Sequence, residues 1–304
     1  MTHRLTTLIP GRTFVEAPRW HDDRIWFSEL YTFSVMSARE DGSDLRVEAS
    51  VPAQPSGLAW LPDGRLLIVS MRDRKLLRRE TDGTLVVHAD LSEHVADFCN
   101  EVVVDRHGRA YVGDFGFDLD NQAPLAPGSL HRIDPDGRIT QVATDLWFPN
   151  GSVITADNVF IVNETFGNRI SAFDLTDDGR LVNRRVWAQF GPLPAATNFE
   201  DAAAECIVSP DGMCIDAEGA LWIADLASEK LLRLREGGDV MEEISPGEMA
   251  FSSVLGGSDG KTMFICAAPN FDEAERRATT HAKILTTRVA VGTAPVGAVG
   301  QVAR

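Results

Sequence analysis

The chain is expected to be all-β, a six-bladed β-propeller with about four antiparallel strands per blade, and three observations carry that expectation. First, one hairpin-like pattern recurs six times: EAPRWHDDRIWFSE, SGLAWLPDGRLLIVS, NEVVVDRHGRAYVGD, NGSVITADNVFIVNE, DGMCIDAEGALWIAD and SSVLGGSDGKTMFICA. Second, more short strands follow the hairpins, such as KLLRRE and TLVVHA after the second and RISAFD after the fourth. Third, aligned on their turns, the units begin at Glu16, Ser56, Asn100, Asn150, Asp211 and Ser252, with spacings of 40, 44, 50, 61 and 41 residues. Such a period, with four strands in each unit, is that of propeller blades.

Within each unit the apolar runs are short and rich in Val, Ile, Trp and Phe, and turns such as PDG, AEG and SDG join them, so strands are favoured over helices. A single propeller spanning 1–304, its ring closed by the N-terminal strand, is expected. With 304 residues and 44% hydrophobic content, the chain can bury a large core. A net charge of -16, with basic residues dispersed among more numerous acids, argues against a nucleic-acid partner. The opening MTHRLTTLIP has no apolar run of signal-peptide length, and no segment approaches the roughly 18 apolar residues that span a bilayer. No membrane partner and a soluble cytoplasmic protein are therefore expected. Cys99, Cys206, Cys214 and Cys266 show no CxxC pairing and read as small buried apolar residues.

In a six-bladed ring the innermost strands all start near the axis, so equivalent positions in successive blades converge. Glu16, Asn100, Asn150 and Asp211 are hard oxygen donors, and Ser56 and Ser252 complete a set with no apolar member. Polar residues at strand starts also cap turns or hydrate a channel. Two carboxylates brought within a few ångströms, however, repel unless a cation or proton lies between them. With carboxylate and amide oxygens and neither His nor Cys at these positions, the preferred ion is Ca2+, then Mg2+ or Mn2+, with Zn2+ a weaker fit.

The stretches EAPRW at Glu16, NEVVVD at Asn100, FPNG at Asn150 and PDGMCID at Asp211, in this order and at blade spacing, resemble the SMP-30/gluconolactonase/luciferin-regenerating enzyme family of six-bladed propeller lactonases. The resemblance covers nearly the whole chain. It implies that Glu16, Asn150 and Asp211 hold a divalent metal, that Asn100 contacts the metal or the substrate beside it, and that Asp211 accepts a proton. The chain departs from the family in two places. Glu101 stands where an Asp is usual, and Phe98 stands where sugar-lactone members can carry an Arg, which argues against a polyhydroxylated sugar lactone.

The expected reaction is hydrolysis of a lactone or small ester, water attacking a carbonyl polarised by the ion. Asp211 is preferred over Glu101 as the base, because strand alternation turns Glu101 away from Asn100. Loops 115–129, 190–210 and 269–280 should wall the pocket, with 190–210 a candidate lid. With Phe98, Trp147 and Phe148 as substrate contacts, they make a more apolar cleft than a sugar needs. Asp118, Asp120 and Asn121 have some flavour of a calcium loop without the Gly and distal Glu of an EF-hand. His21, His107 and His131 are expected at exposed turns or strand edges, and His94 and His281 flank candidate loops. No GxSxG, HExxH, GxGxxG or Walker-type motif is present. Two further readings remain: a non-catalytic propeller whose ion plugs the channel, and a related metal-dependent hydrolase acting on phosphotriesters.

Overall fold

The computed structural model describes residues 3–293 and contains six four-stranded antiparallel sheets, the blades of a propeller. Strand β1 (Thr6–Arg12) precedes the first blade, which holds β2 (Val15–His21), β3 (Arg24–Glu29), β4 (Ser34–Arg39) and β5 (Arg46–Ser50). The second holds β6 (Pro55–Trp60), β7 (Leu66–Ser70), β8 (Lys75–Arg79) and β9 (Leu85–Asp90). The third holds β10 (Cys99–Val104), β11 (Ala110–Asp114), β12 (Gly128–Ile133) and β13 (Ile139–Leu146). The fourth holds β14 (Pro149–Ile154), β15 (Val159–Glu164), β16 (Arg169–Leu175) and β17 (Leu181–Gln189). After helix α1 (Phe199–Glu205) the fifth holds β18 (Pro210–Ile215), β19 (Leu221–Asp225), β20 (Lys230–Leu234) and β21 (Val240–Ile244). The sixth holds β22 (Met249–Gly256), β23 (Thr262–Ala268), and, after helix α2 (Glu273–Ala278), β24 (Ala282–Arg288). Its fourth strand is β1, paired antiparallel to β24 through Thr6 to Thr286 and Arg12 to Ala282.

Burial falls from axis to rim. The second strands β3, β7, β11, β19 and β23 are buried at every residue, because both faces pack on neighbouring blades. That is why they read as unbroken apolar runs rather than as alternating ones. The rim strands β5, β9 and β21 are largely exposed. In the hairpin turns Gly64 (φ 85°) and Gly219 (φ 77°) adopt the left-handed backbone that the PDG and AEG sequences imply. Apolar clusters form between adjacent blades, as where Leu67 and Val69 of β7 meet Val102 of β10 and Val112 of β11. All four cysteines are buried and free, as expected. His21 and His131 are buried too, contrary to the exposure expected of them: His21 stacks on Trp60 of the next blade at 4.1 Å between ring centres, and His131 is sealed inside its own blade. Among the described residues no helix is long and apolar enough to cross a membrane.

The first strands β2, β6, β10, β14, β18 and β22 contact one another in a closed ring. Each carries a register break near its start: between Glu16 and Arg19, Pro55 and Leu58, Cys99 and Val102, Pro149 and Ser152, Pro210 and Met213, and Ala250 and Ser252. Such bulges interrupt alternation and re-aim side chains. They also bring neighbouring strands very close. A Cβ on Gly151 would lie 2.5 Å from Met213 N, and one on Gly212 only 2.0 Å from Ser252 Oγ. Only glycine fits there.

Candidate active site

The bulges turn Glu16, Ser56, Asn100, Asn150 and Asp211, drawn from five different blades, into one cavity of about 250 Å³. In the sixth blade the register break falls one residue earlier than the aligned sequences suggest. Phe251, not Ser252, faces the cavity, while Ser252 lies against Gly212 of β18. The axial set therefore has one apolar member, a correction to the expectation of six polar ones. Glu101 also lines the cavity. Simple alternation would have turned it into the blade, but the break between Cys99 and Val102 presents two consecutive residues, Asn100 and Glu101, on the same side.

Glu16, Glu101 and Asp211 thus line one cavity, and a single guanidinium borders it. Arg19 of β2 reaches across to Glu101, with Nη2 donating to Oε2 at 2.6 Å. Sequence reasoning had not singled out Arg19, although a lone cation three residues after Glu16 in a buried strand is a readable signal. Burial, reinforced by the nearby Asp211 carboxylate, pushes the Glu16 carboxyl well above the usual range. Burial likewise raises Asp211, with Glu101 adding to the effect and a hydrogen bond from the Asn150 side chain opposing it. Both shifts express burial away from water first and a neighbouring like charge second. Three carboxylates against one guanidinium leave a formal excess of two negative charges, the charge of one divalent cation.

The amides are held in place. Asn150 Nδ2 donates to Thr165 Oγ1 at 3.2 Å, and Thr165 Oγ1 in turn donates to the Pro210 carbonyl at 2.9 Å. With that amide nitrogen engaged by Thr165 and Asp211, the Asn150 oxygen is the end left to act as a ligand. Ser56 Oγ donates to Asn100 Oδ1 at 3.3 Å. Two residues beside these donors sit in the left-handed region that non-glycine residues avoid, Ala17 (φ 49°) and Phe148 (φ 59°). The Ala17 N–H donates to Glu16 Oε2 at 2.8 Å, so the unusual backbone points a donor at the carboxylate it follows. Among the described residues no three His, Cys, Asp or Glu side chains gather as a metal cluster. A mixed set of two carboxylates and amide oxygens fits a hard divalent ion, and its charge excess matches one.

Above this floor the walls are aromatic. Phe98, Phe115, Phe148, Phe166 and Phe199 run in sequence around one side, ring centres 4.3 to 5.8 Å apart. Phe98 and Phe148 line the cavity as expected. Trp147 is not among the lining residues: its backbone N–H donates to Glu164 Oε2, and its side chain packs against the aromatic cluster of the wall. The 190–210 segment carries α1, which contributes Phe199 and Ala203 to the lining. The 115–129 segment supplies Leu119 and Asp120, and the 269–280 segment Phe271 and Glu273. The acidic loop is a turn in which Asn121 bonds Asp118, while Asp120 pairs with Arg72. His94 and His281 are exposed and do not line the cavity.

Six blades around an axial cluster of oxygen donors define a propeller with a site at the centre of its ring. The SMP-30/Gluconolactonase/LRE-like region model matches residues 14–269, and the chain belongs to this family. It is similar to the pentonolactonase of Haloferax volcanii, 29% identical over 263 residues that cover 83% of this chain and 81% of the relative. In fold it is similar to a luciferin-regenerating enzyme (TM-score 0.78, 15% identity, 99% of each chain). It also resembles a calcium-binding protein, the regucalcin of Agrobacterium tumefaciens (TM-score 0.74, 20% identity, 95% of each chain).

Proposed function

We propose that the protein is a divalent-metal-dependent hydrolase that opens a lactone or small carboxylic ester. The observation that carries this reading is the meeting of the Glu16 and Asp211 carboxylates with the Asn150 and Asn100 amides at the floor of an apolar cavity. Kinship with a relative named pentonolactonase supports the opening of a lactone ring. Glu16, Asn150 and Asp211 would hold the ion, with Asn100 on the ion or on substrate beside it. Ca2+ is the first choice, consistent with a fold shared with a calcium-binding regucalcin. When bound, such an ion polarises a carbonyl oxygen and offsets the charge that develops there.

Asp211 is the proton acceptor in this scheme. Glu101 is the poorer candidate because the Arg19 guanidinium occupies its Oε2. Thr165 orients Asn150, Ser56 orients Asn100, and the aromatic wall keeps bulk water from the floor.

Chelation tests the reading. Treatment with EDTA is expected to abolish hydrolysis of a lactone and ester panel, and Ca2+ to restore it more fully than Mg2+, Mn2+ or Zn2+. Asp211→Ala should remove the calcium-binding heat in calorimetry and lower kcat by about 100- to 10,000-fold. A chelator that only lowers Tm, with no turnover of any lactone at any stage, would instead favour an ion that merely plugs the channel.

A further inference from the structure

We propose that the substrate is a lactone bearing a short apolar substituent, alkyl or aryl, and not a polyhydroxylated sugar lactone. The proposal rests on the lactone-opening reading above and names its substrate class. Hydroxyl groups leave water favourably only where a site offers partners for them, and a pocket without such partners selects against them.

In this cavity the wall's polar side chains are already engaged with one another. Gln54 Oε1 accepts from Arg72 Nε, while Arg72 Nη1 and Nη2 go to Asp120 and Glu273. The same guanidinium lies over Phe98, its carbon 4.9 Å from the ring centre, so its charge is flanked by two carboxylates and an aromatic face. Glu273 further accepts from Arg277 Nε through its other oxygen. Thr165 Oγ1 donates to the Pro210 carbonyl and Ser209 Oγ to the Thr165 carbonyl. Among the described residues the wall leaves the Tyr31 hydroxyl, the Gln54 amide nitrogen and the second Asp120 oxygen for substrate hydroxyls, few for a polyol.

What the wall does offer is aromatic area. The run from Phe98 to Phe199 faces Phe14 and Phe251, themselves in edge contact at 4.6 Å, across the lining. Apolar pockets of this kind take apolar groups, with polar atoms only where orientation is fixed. Here that place is the floor, where a ring carbonyl would sit among the oxygen donors. At about 250 Å³ the space is smaller than the roughly 300–1,000 Å³ of drug-sized sites, so the substituent is short.

The test compares kcat/KM of the calcium-loaded full chain on δ-valerolactone, δ-hexalactone, δ-nonalactone, dihydrocoumarin and D-glucono-δ-lactone. In parallel, calorimetry compares binding of two rings that lack the carbonyl, 2-butyltetrahydropyran and 1,5-anhydroglucitol. Expected is a rise of up to about fourfold per added methylene until the cavity is full, with gluconolactone at least 100-fold below δ-nonalactone. Phe199→Ala, on a half-buried residue of the short helix, should flatten that chain-length slope. A flat slope in the parent protein, or gluconolactone equal to the alkyl lactones, overturns the substrate class and leaves the hydrolase reading standing. If no lactone is turned over but butyltetrahydropyran binds at least tenfold tighter than anhydroglucitol, the apolar site stands and the hydrolase reading falls. Equal binding of the two rings without turnover overturns both.

Discussion

Arg19 and Glu101 illustrate how a buried ion pair can serve a site without belonging to its chemistry. Both are nearly enclosed, so removing one partner leaves an unpaired charge beside Glu16 and Asp211. Arg19→Met is expected to destabilise the fold by about 3–5 kcal/mol, and adding Glu101→Gln should recover much of that loss, as read by Tm in a double-mutant cycle. Full additivity of the two changes would show that the pair is not coupled. A second residue, Asp114, gives a pH prediction. Burial pushes its carboxyl to about 7, while burial lowers neighbouring His131, 3.7 Å away, to about 4. A raised carboxyl means that the folded chain keeps a proton the unfolded chain has released, so the contribution of Asp114 to stability falls as pH climbs from about 4 to 7. The depressed His131, charged only in the unfolded chain between about 4 and 6.5, contributes in the opposite sense. The upper bound for Asp114 is about 1.4 kcal/mol per pH unit across its window. Asp114→Asn should therefore melt above the parent at pH 8, the gap closing near pH 4; a gap that is constant with pH would contradict this assignment. The donor residues were legible from sequence because oxygen-bearing side chains at strand starts are conspicuous in an apolar chain. The facing of Glu101 and the substitution of Phe251 for Ser252 were not, since a one-residue bulge leaves no compositional trace.

At the scale of the element, the bulged first strand is the unit that builds the site. In β6, β14 and β18 it reads Pro, axial residue, Gly: Pro55-Ser56-Gly57, Pro149-Asn150-Gly151 and Pro210-Asp211-Gly212. The proline opens the strand, the middle residue turns to the cavity, and the glycine lets the next strand approach. Gly212→Ala, whose Cβ would collide with Ser252, is expected to cost about 1–3 kcal/mol and to displace Asp211, lowering Tm and, under the proposed metal role of Asp211, calcium affinity as well. A normal Tm and normal calcium binding would mean that the strands have room to spare. The six hairpins were legible because four of their turns carry glycine, the other two carry Asp or Asn, and their strands are short apolar runs. Helix α1 was not expected as a helix; its seven residues begin after Asn198, whose side chain accepts from the Asp201 N–H, a cap that is easily lost within a loop rich in Pro and Ala.

For the whole molecule, closure depends on ten-odd N-terminal residues. β1 buries little beyond Ile9, yet its pairing covers the otherwise open rim of β24. Arg12 and Thr13 add a further tie, bonding Glu29 of the first blade. Removing residues 1–12 is expected to leave β24 as an unpaired edge, giving a lower Tm and concentration-dependent scattering well below it. Unchanged melting would show that the pairing contributes little.

The glycines between the first strands have a last consequence. Because neighbouring first strands leave no room for a Cβ at Gly57, Gly151 and Gly212, the bore there is set by close-packed strands rather than by exchangeable side chains. Diversification of what such a protein accepts must then come from grafting new loops onto that hub, with blade-top segments such as 190–210 as the exchangeable parts.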